Sequence, residues 1–337
     1  MSEAKPIRRA QTTAGRIVTL EEAVEGLTRL IAGINTASLS ELPESAREPV
    51  ALLRAWILDE RRRVQVRDLV DEVTKDTIAR VSAPDLTAQG IPFGDELLKK
   101  RVDEFQQATL VLAYLFSEAG YWGAPEADRV WARALQRVAN AVEGGSGLVV
   151  WLRLRLLPAL IVLYTGCVAA VANKQYGSVR CLLFDPIVKE PSRDQPVVLA
   201  LFPSAVMEPD VAHRLPGLDR HHTPVSDWLW EVLRPILQAV IPDPDQLEQA
   251  FDEFEYLLGV AYASKVDRNW APIGRFAWRG RQYPEGGLAT RLARQFEEEG
   301  ERWSPFSAGL VGGDLETARA NVASYNAWVA RASLAWF

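Results

Sequence analysis

GLVVWLRLRLLPALIVLYTGCVAAVA, residues 147–172, decides how the rest of this chain is read. No charge occurs over the 18 residues between Arg155 and Lys174. As a helix rising about 1.5 Å per residue, that run spans roughly 27 Å, just short of a bilayer's hydrocarbon core. Arg153 and Arg155 abut it, Pro158 falls in its first turn, and Gly166 and Asn173 dilute it. A helix apolar on every side, in a chain whose other helices are amphipathic, reads as the central helix of a large core. The expectation is a buried axis; the reading set against it puts Leu156–Ala172 in a membrane.

Outward from that axis the periodicity is helical. Upstream, Thr19 and Glu22 form a capping-box pair ahead of a stripe through Leu20, Ala23, Leu27, Leu30, Ile31 and Ile34. Pro49 is read as opening a helix with Leu52, Leu53, Trp56 and Ile57, and Val66 to Ile78 continue the pattern. After the turn-rich SAPDLTAQGIPFGD (82–95), a long helix runs from Asp95 to Gly120 and another from Pro125 to the loop EGGSG (143–147). Downstream, Val179–Phe184 reads as a short helix and 185–196 as a polar connector. Residues 203–224, with four prolines, read as loop with one short helix. Thr223–Pro224 and Asp243–Pro244 are start signals for two further helices, the first kinked at Pro235. Gly287–Glu299 and Leu315–Trp336 close the chain, the last capped by Asp314. With no sustained period-two alternation and no fixed-length repeat, the fold class expected is all-α. It is a multi-helical bundle around the central apolar helix, with a Pro-rich loop segment and a C-terminal helical subdomain. The domains expected are a flexible tail over 1–18, an N-terminal helical domain over 19–145 and a C-terminal helical domain over 146–337.

Composition narrows the function classes. The chain is 48% hydrophobic and 24% charged over 337 residues, an ordinary globular profile of two or three domains. A net charge of −6 leaves no electrostatic footprint for nucleic acid. Cys167 and Cys181 fall in apolar surroundings and read as small buried hydrophobes. The polar start MSEAKPIRRAQTTAGR has no apolar signal region, and the expected location is cytoplasmic.

Phosphate loops, dinucleotide fingerprints, nucleophile elbows, HExxH and CxxC motifs are all absent. Two constellations carry chemistry. All three histidines, His213, His221 and His222, fall within ten positions, with Asp210, Asp219 and Asp227 among them. His213, Asp219, His221 and His222 are a ligand set for zinc or manganese, whose bound water would be the nucleophile of a hydrolase. Neighbouring histidines tend to point apart, so a loop-stabilising role is preferred and no cofactor is expected. The second constellation is NWAPIGRFAWRGR (269–281), in which aromatics and arginines interleave around Pro272 and Gly274. It reads as a structural plug with guanidinium planes over indole rings. Its candidate partner-binding residues are Trp270, Arg275, Phe276, Trp278 and Arg279, because Trp and Arg are enriched at interface hot spots.

Together, LRLRLLPALIVLYTGCVAAVANKQYGSVRCLL (152–183) and WAPIGRFAWRGR (270–281) resemble the helical C-terminal regions of some bacterial anti-phage defence proteins. There a sirtuin-like, TIR or nucleoside-triphosphatase effector precedes such a region. The likeness covers about the last two-thirds of the chain and rests on structural motifs. No Rossmann-type or P-loop element stands here, so no catalytic residue carries over. The resemblance implies a non-catalytic sensor or assembly module that meets a protein partner, an effector subunit encoded separately. Self-association is compatible with it; nucleic acid and membrane partners are disfavoured. The alternatives are the metal-dependent hydrolase and a membrane-associated effector.

Overall fold

Helices follow the apolar periodicity from Glu44 onward in the computed structural model. It describes residues 39–86, 88–123, 125–141, 146–189, 193–266, 270–279 and 287–334, and the strands β1 (Ala10–Gln11) and β2 (Ile17–Val18), which pair antiparallel. First come α1 (Glu44–Trp56), α2 (Arg63–Val81), α3 (Asp95–Trp122), α4 (Asp128–Ala139), α5 (Val149–Leu154), α6 (Leu157–Ala172) and α7 (Tyr176–Phe184). An antiparallel pair, β3 (Ile187–Val188) with β4 (Gln195–Pro196), leads to the single-turn helices α8 (Val197–Ala200), α9 (Pro203–Val206) and α10 (Pro209–Ala212). Then follow α11 (Pro224–Leu237), α12 (Pro244–Ala263), α13 (Phe276–Arg279), α14 (Leu288–Glu299), α15 (Ser304–Ser307) and α16 (Leu315–Leu334). The fold is all-α, and its strands are two residues long.

The charge-free run is the axis. Every side chain of α6 from Leu157 to Val171 is buried. Pro158 sits in the first turn, where the missing N–H costs no helical bond. Helices α3, α4, α7, α11 and α12 pack around α6. Helix α3 comes closest because glycines meet: a Cβ on Gly120 would lie 2.2 Å from the Gly166 carbonyl oxygen. Buried hydroxyls inside this layer bond back to their own helices, Thr165 to the Ile161 carbonyl and Thr109 to that of Phe105, both at 2.7 Å. Taken as one stretch, Val149–Ala172 is long and apolar enough to cross a membrane, yet 89% of its most apolar window is buried inside the molecule. One continuous hydrophobic core runs from Leu42 to Val329 and joins both halves of the chain.

Local differences from the sequence pattern have physical causes. Helix α1 starts at Glu44, so Pro49 lies inside it rather than opening it. The connector after α7 contains β3 and β4, because side-chain amides supply what a longer ladder would. Asn140 donates to the Ile187 carbonyl (2.7 Å) and accepts from Lys189 N–H (2.8 Å), while Gln136 accepts from Ile187 N–H (2.9 Å). The Pro-rich stretch makes two helical turns, α9 and α10, each opened by its proline. Asp243 and Asp314 cap α12 and α16 as read, accepting backbone N–H bonds at 3.0 and 2.8 Å. Thr223 precedes α11 without capping it; its hydroxyl lies 3.3 Å from the Asp227 carboxylate instead. The Thr19–Glu22 pair, the stripe to Ile34, the glycines at 144–145 and the end of the arginine-rich segment, 280–281, lie outside the described residues.

Candidate functional site

The strap 270–279 crosses α12 and is tied down from both sides. On the C-terminal side, Trp328 Nε1 donates to the Ala271 carbonyl (2.8 Å) and the Tyr325 hydroxyl to that of Pro272 (2.9 Å). On the inner side, the Arg275 backbone N–H donates to Glu255 Oε2, at 3.0 Å, and lies equally close to Ser226 Oγ. The Ser226 and Tyr164 hydroxyls donate to Glu255 Oε1 at 2.6 and 3.3 Å. Gly274 passes so close that a Cβ there would lie 1.9 Å from Glu255 Oε2, which is why the strap needs glycine at that point.

Burial governs the electrostatics. It pushes the Glu255 carboxyl up to about 8 against the pull of the Ser226 hydroxyl, with Asp252 adding to the rise. Asp252 is pushed up to about 6, again by burial, against the pull of Arg275 and Arg279. Glu248 is held below its ordinary range, first by its hydrogen bond from Arg279. The Arg275 guanidinium lies 4.2 Å from the Trp230 ring centroid, 2.8 Å from Glu248 Oε1 and 3.5 Å from Asp252 Oδ1. Arg279 joins the same two carboxylates. The guanidinium-over-indole plug expected for this segment is thus present at Arg275.

The outer side of the strap faces the histidine loop, so two constellations that the sequence presents separately meet here. His221, His222, Arg220 and Asp227 line a cleft of about 270 Å³ with Arg275, Trp278 and Arg279. His222 stacks on Trp278, ring centroids 4.4 Å apart and planes at 30°. His221 Nδ1 lies 3.0 Å from Asp227 Oδ2, a pairing that orients the imidazole and favours the tautomer protonated at Nδ1. His213 is spent elsewhere: its Nε2 is 2.9 Å from the His221 carbonyl oxygen. Asp219 lies 3.7 Å from Arg220 and is exposed. Among the described residues, no three His, Cys, Asp or Glu side chains are placed to hold a metal ion. His213, Asp219, His221 and His222 therefore do not converge as a ligand set.

The candidate partner-binding residues divide. Trp278 and Arg279 are half-buried and border the cleft. Arg275 and Phe276 are buried, Phe276 edge-on to Tyr256 at 6.0 Å, and belong to the plug. Trp270 is 38% exposed but sits at the other end of the strap, against Phe202 and Tyr262. The sequence reading misses Glu248, Asp252 and Glu255. Their signal is a carboxylate stripe at i, i+4, i+7 on one face of a largely apolar helix. Comparison of the chain with protein-family models, with curated proteins and with solved structures finds no match in any of the three.

Proposed function

We propose that this protein is a non-catalytic helical interaction module that engages a protein partner through the cleft between the histidine loop and the strap. The observation that carries the reading is the pinned strap. Glu255, Ser226, Tyr325 and Trp328 hold its backbone in place, so Trp278 and Arg279 are presented without an ordering cost at binding. Indole, guanidinium and imidazole side arms around an open cleft match the composition of interface hot spots. The resemblance of 152–183 and 270–281 to helical regions of bacterial defence proteins supports a cytoplasmic sensor or assembly role beside a separate effector.

The test is affinity capture from native extract with wild type and with a Trp278→Ala/Arg279→Ala variant shown to be folded at the assay temperature. The reading expects a stoichiometric partner held by wild type and lost from the variant. Equal capture by both proteins refutes it. Stoichiometric zinc or manganese in purified protein, lost in His221→Ala/His222→Ala, would instead support the hydrolase, for which the described residues bring no three metal ligands together.

A further inference from the structure

Sharing no lining residue with the cleft, a trough lies between α1, α2 and α3, which pack as three sides of a bundle. One wall is a single face of α1, Ser45, Glu48, Pro49 and Leu52, at i, i+3, i+4, i+7. The other is a face of α2 from Leu69 through Glu72, Val73, Asp76 and Thr77 to Arg80. Ala108 and Val111 of α3 form the floor. This hollow, about 280 Å³, adjoins a second of about 450 Å³, with which it shares Ser45, Arg80 and Ala108. From Leu69 to Arg80 the trough runs about 16 Å, the length of three helical turns.

Its chemistry is one-sided. Leu52, Leu69, Val73, Ala108 and Val111 make an apolar lining. Glu48, Glu72 and Asp76 stand exposed on the rims with no ion-pair partner among the described residues. At the far end Asp103 and Glu104 are answered by Lys99 and Lys100, and Arg80 is the only basic residue lining either hollow. A further unmet acceptor lies in the wall: Pro49 has no N–H, so the Ser45 carbonyl lacks its usual helical partner.

We propose that this trough receives a basic amphipathic helix of a partner protein, about three turns long, with apolar residues at i, i+3, i+4 and i+7 facing the floor and Lys or Arg along both rims. An apolar groove of helical length selects a helix with one apolar face. Unanswered carboxylates on both sides select its charge. Segments of this chain fit less well. The stripe from Leu20 to Ile34 carries Glu21, Glu22 and Glu25 against Arg29, the wrong sign, and Met1–Arg16 is basic but has no apolar stripe. The inference does not rest on the Trp278 cleft.

Three labelled synthetic peptides of about 14 residues test it by fluorescence anisotropy against the full chain. The first has Leu at the four anchor positions and Lys or Arg elsewhere. The second has the same composition with the stripe scrambled, and the third has Glu in place of each Lys and Arg. The first is expected to bind with micromolar affinity, which weakens about tenfold or more in Glu72→Lys/Asp76→Lys. It should bind unchanged to Glu298→Lys/Glu301→Lys, which alters the net charge equally outside the trough. Failure of the first peptide to bind, equal binding of the scrambled peptide, binding of the acidic one, or indifference to the Glu72/Asp76 reversal overturns the proposal.

Discussion

Replacing Glu255 by Gln should remove roughly 2 kcal/mol of this protein's loss of stability between pH 6 and pH 8. The carboxyl is pushed by burial from an ordinary value of 4.5 up to about 8. Over the interval between those values the folded protein holds a proton that the unfolded chain has released. Stability therefore falls as pH rises, by up to about 1.4 kcal/mol per pH unit, and the fall ends above the folded value. From pH 6 to pH 8 this amounts to roughly 2 kcal/mol, since the last half-unit counts for less. Asp252, pushed up to about 6, acts with the same sign but is largely spent by the start of that window. Gln keeps the shape and the bonds: its carbonyl can accept from Arg275 N–H while its amide donates to the Ser226 and Tyr164 oxygens. Urea unfolding at half-unit steps from pH 5.5 to 8.5 reads the effect directly. A wild-type slope that persists in Glu255→Gln refutes the assignment of that proton to this carboxyl.

Substitutions at two positions probe the strap and its supports. Gly259→Ala places a Cβ 2.0 Å from the Tyr325 hydroxyl and must displace the ring that bonds the Pro272 carbonyl. It should cost about 1–3 kcal/mol by chemical denaturation, as overpacking does, and loosen hydrogen-exchange protection over 271–279. Trp278 presents a different case, because its Nε1 is shut off from solvent with no acceptor among the described residues. Trp278→Phe should be neutral or slightly stabilising, since it deletes an unpaired donor and keeps a ring against His222. Trp278→Ala, which also deletes the stack, should cost about 1–3 kcal/mol.

What sequence reveals and conceals here follows from range. The axis α6 is legible because an all-apolar face in every direction needs no knowledge of its neighbours. The starts of α12 and α16 are legible because Asp243 and Asp314 bond two and three residues away. Pro49 misleads for a related reason: a proline marks a first turn only on average, and α1 accepts it five residues in. The β3–β4 pair is hidden because its partners are the side chains of Gln136 and Asn140, about fifty residues upstream. In the candidate site, the histidines and the Trp/Arg segment each stand out as compositional clusters. Their meeting does not, for it depends on Ser226 and Glu255 gripping Arg275 across separations of 49 and 20 residues. No local pattern encodes that grip.

The central claim is that α6 is the enclosed axis of a helical bundle. Cys167, fully buried at the middle of that helix, reports on it directly. In a Cys181→Ala background, a maleimide reagent should fail to label the native protein and should label it fully after denaturation, with lipid vesicles making no difference. Labelling of Cys167 in native buffer at the rate of a free thiol, or protection that appears only when vesicles are added, would contradict the account.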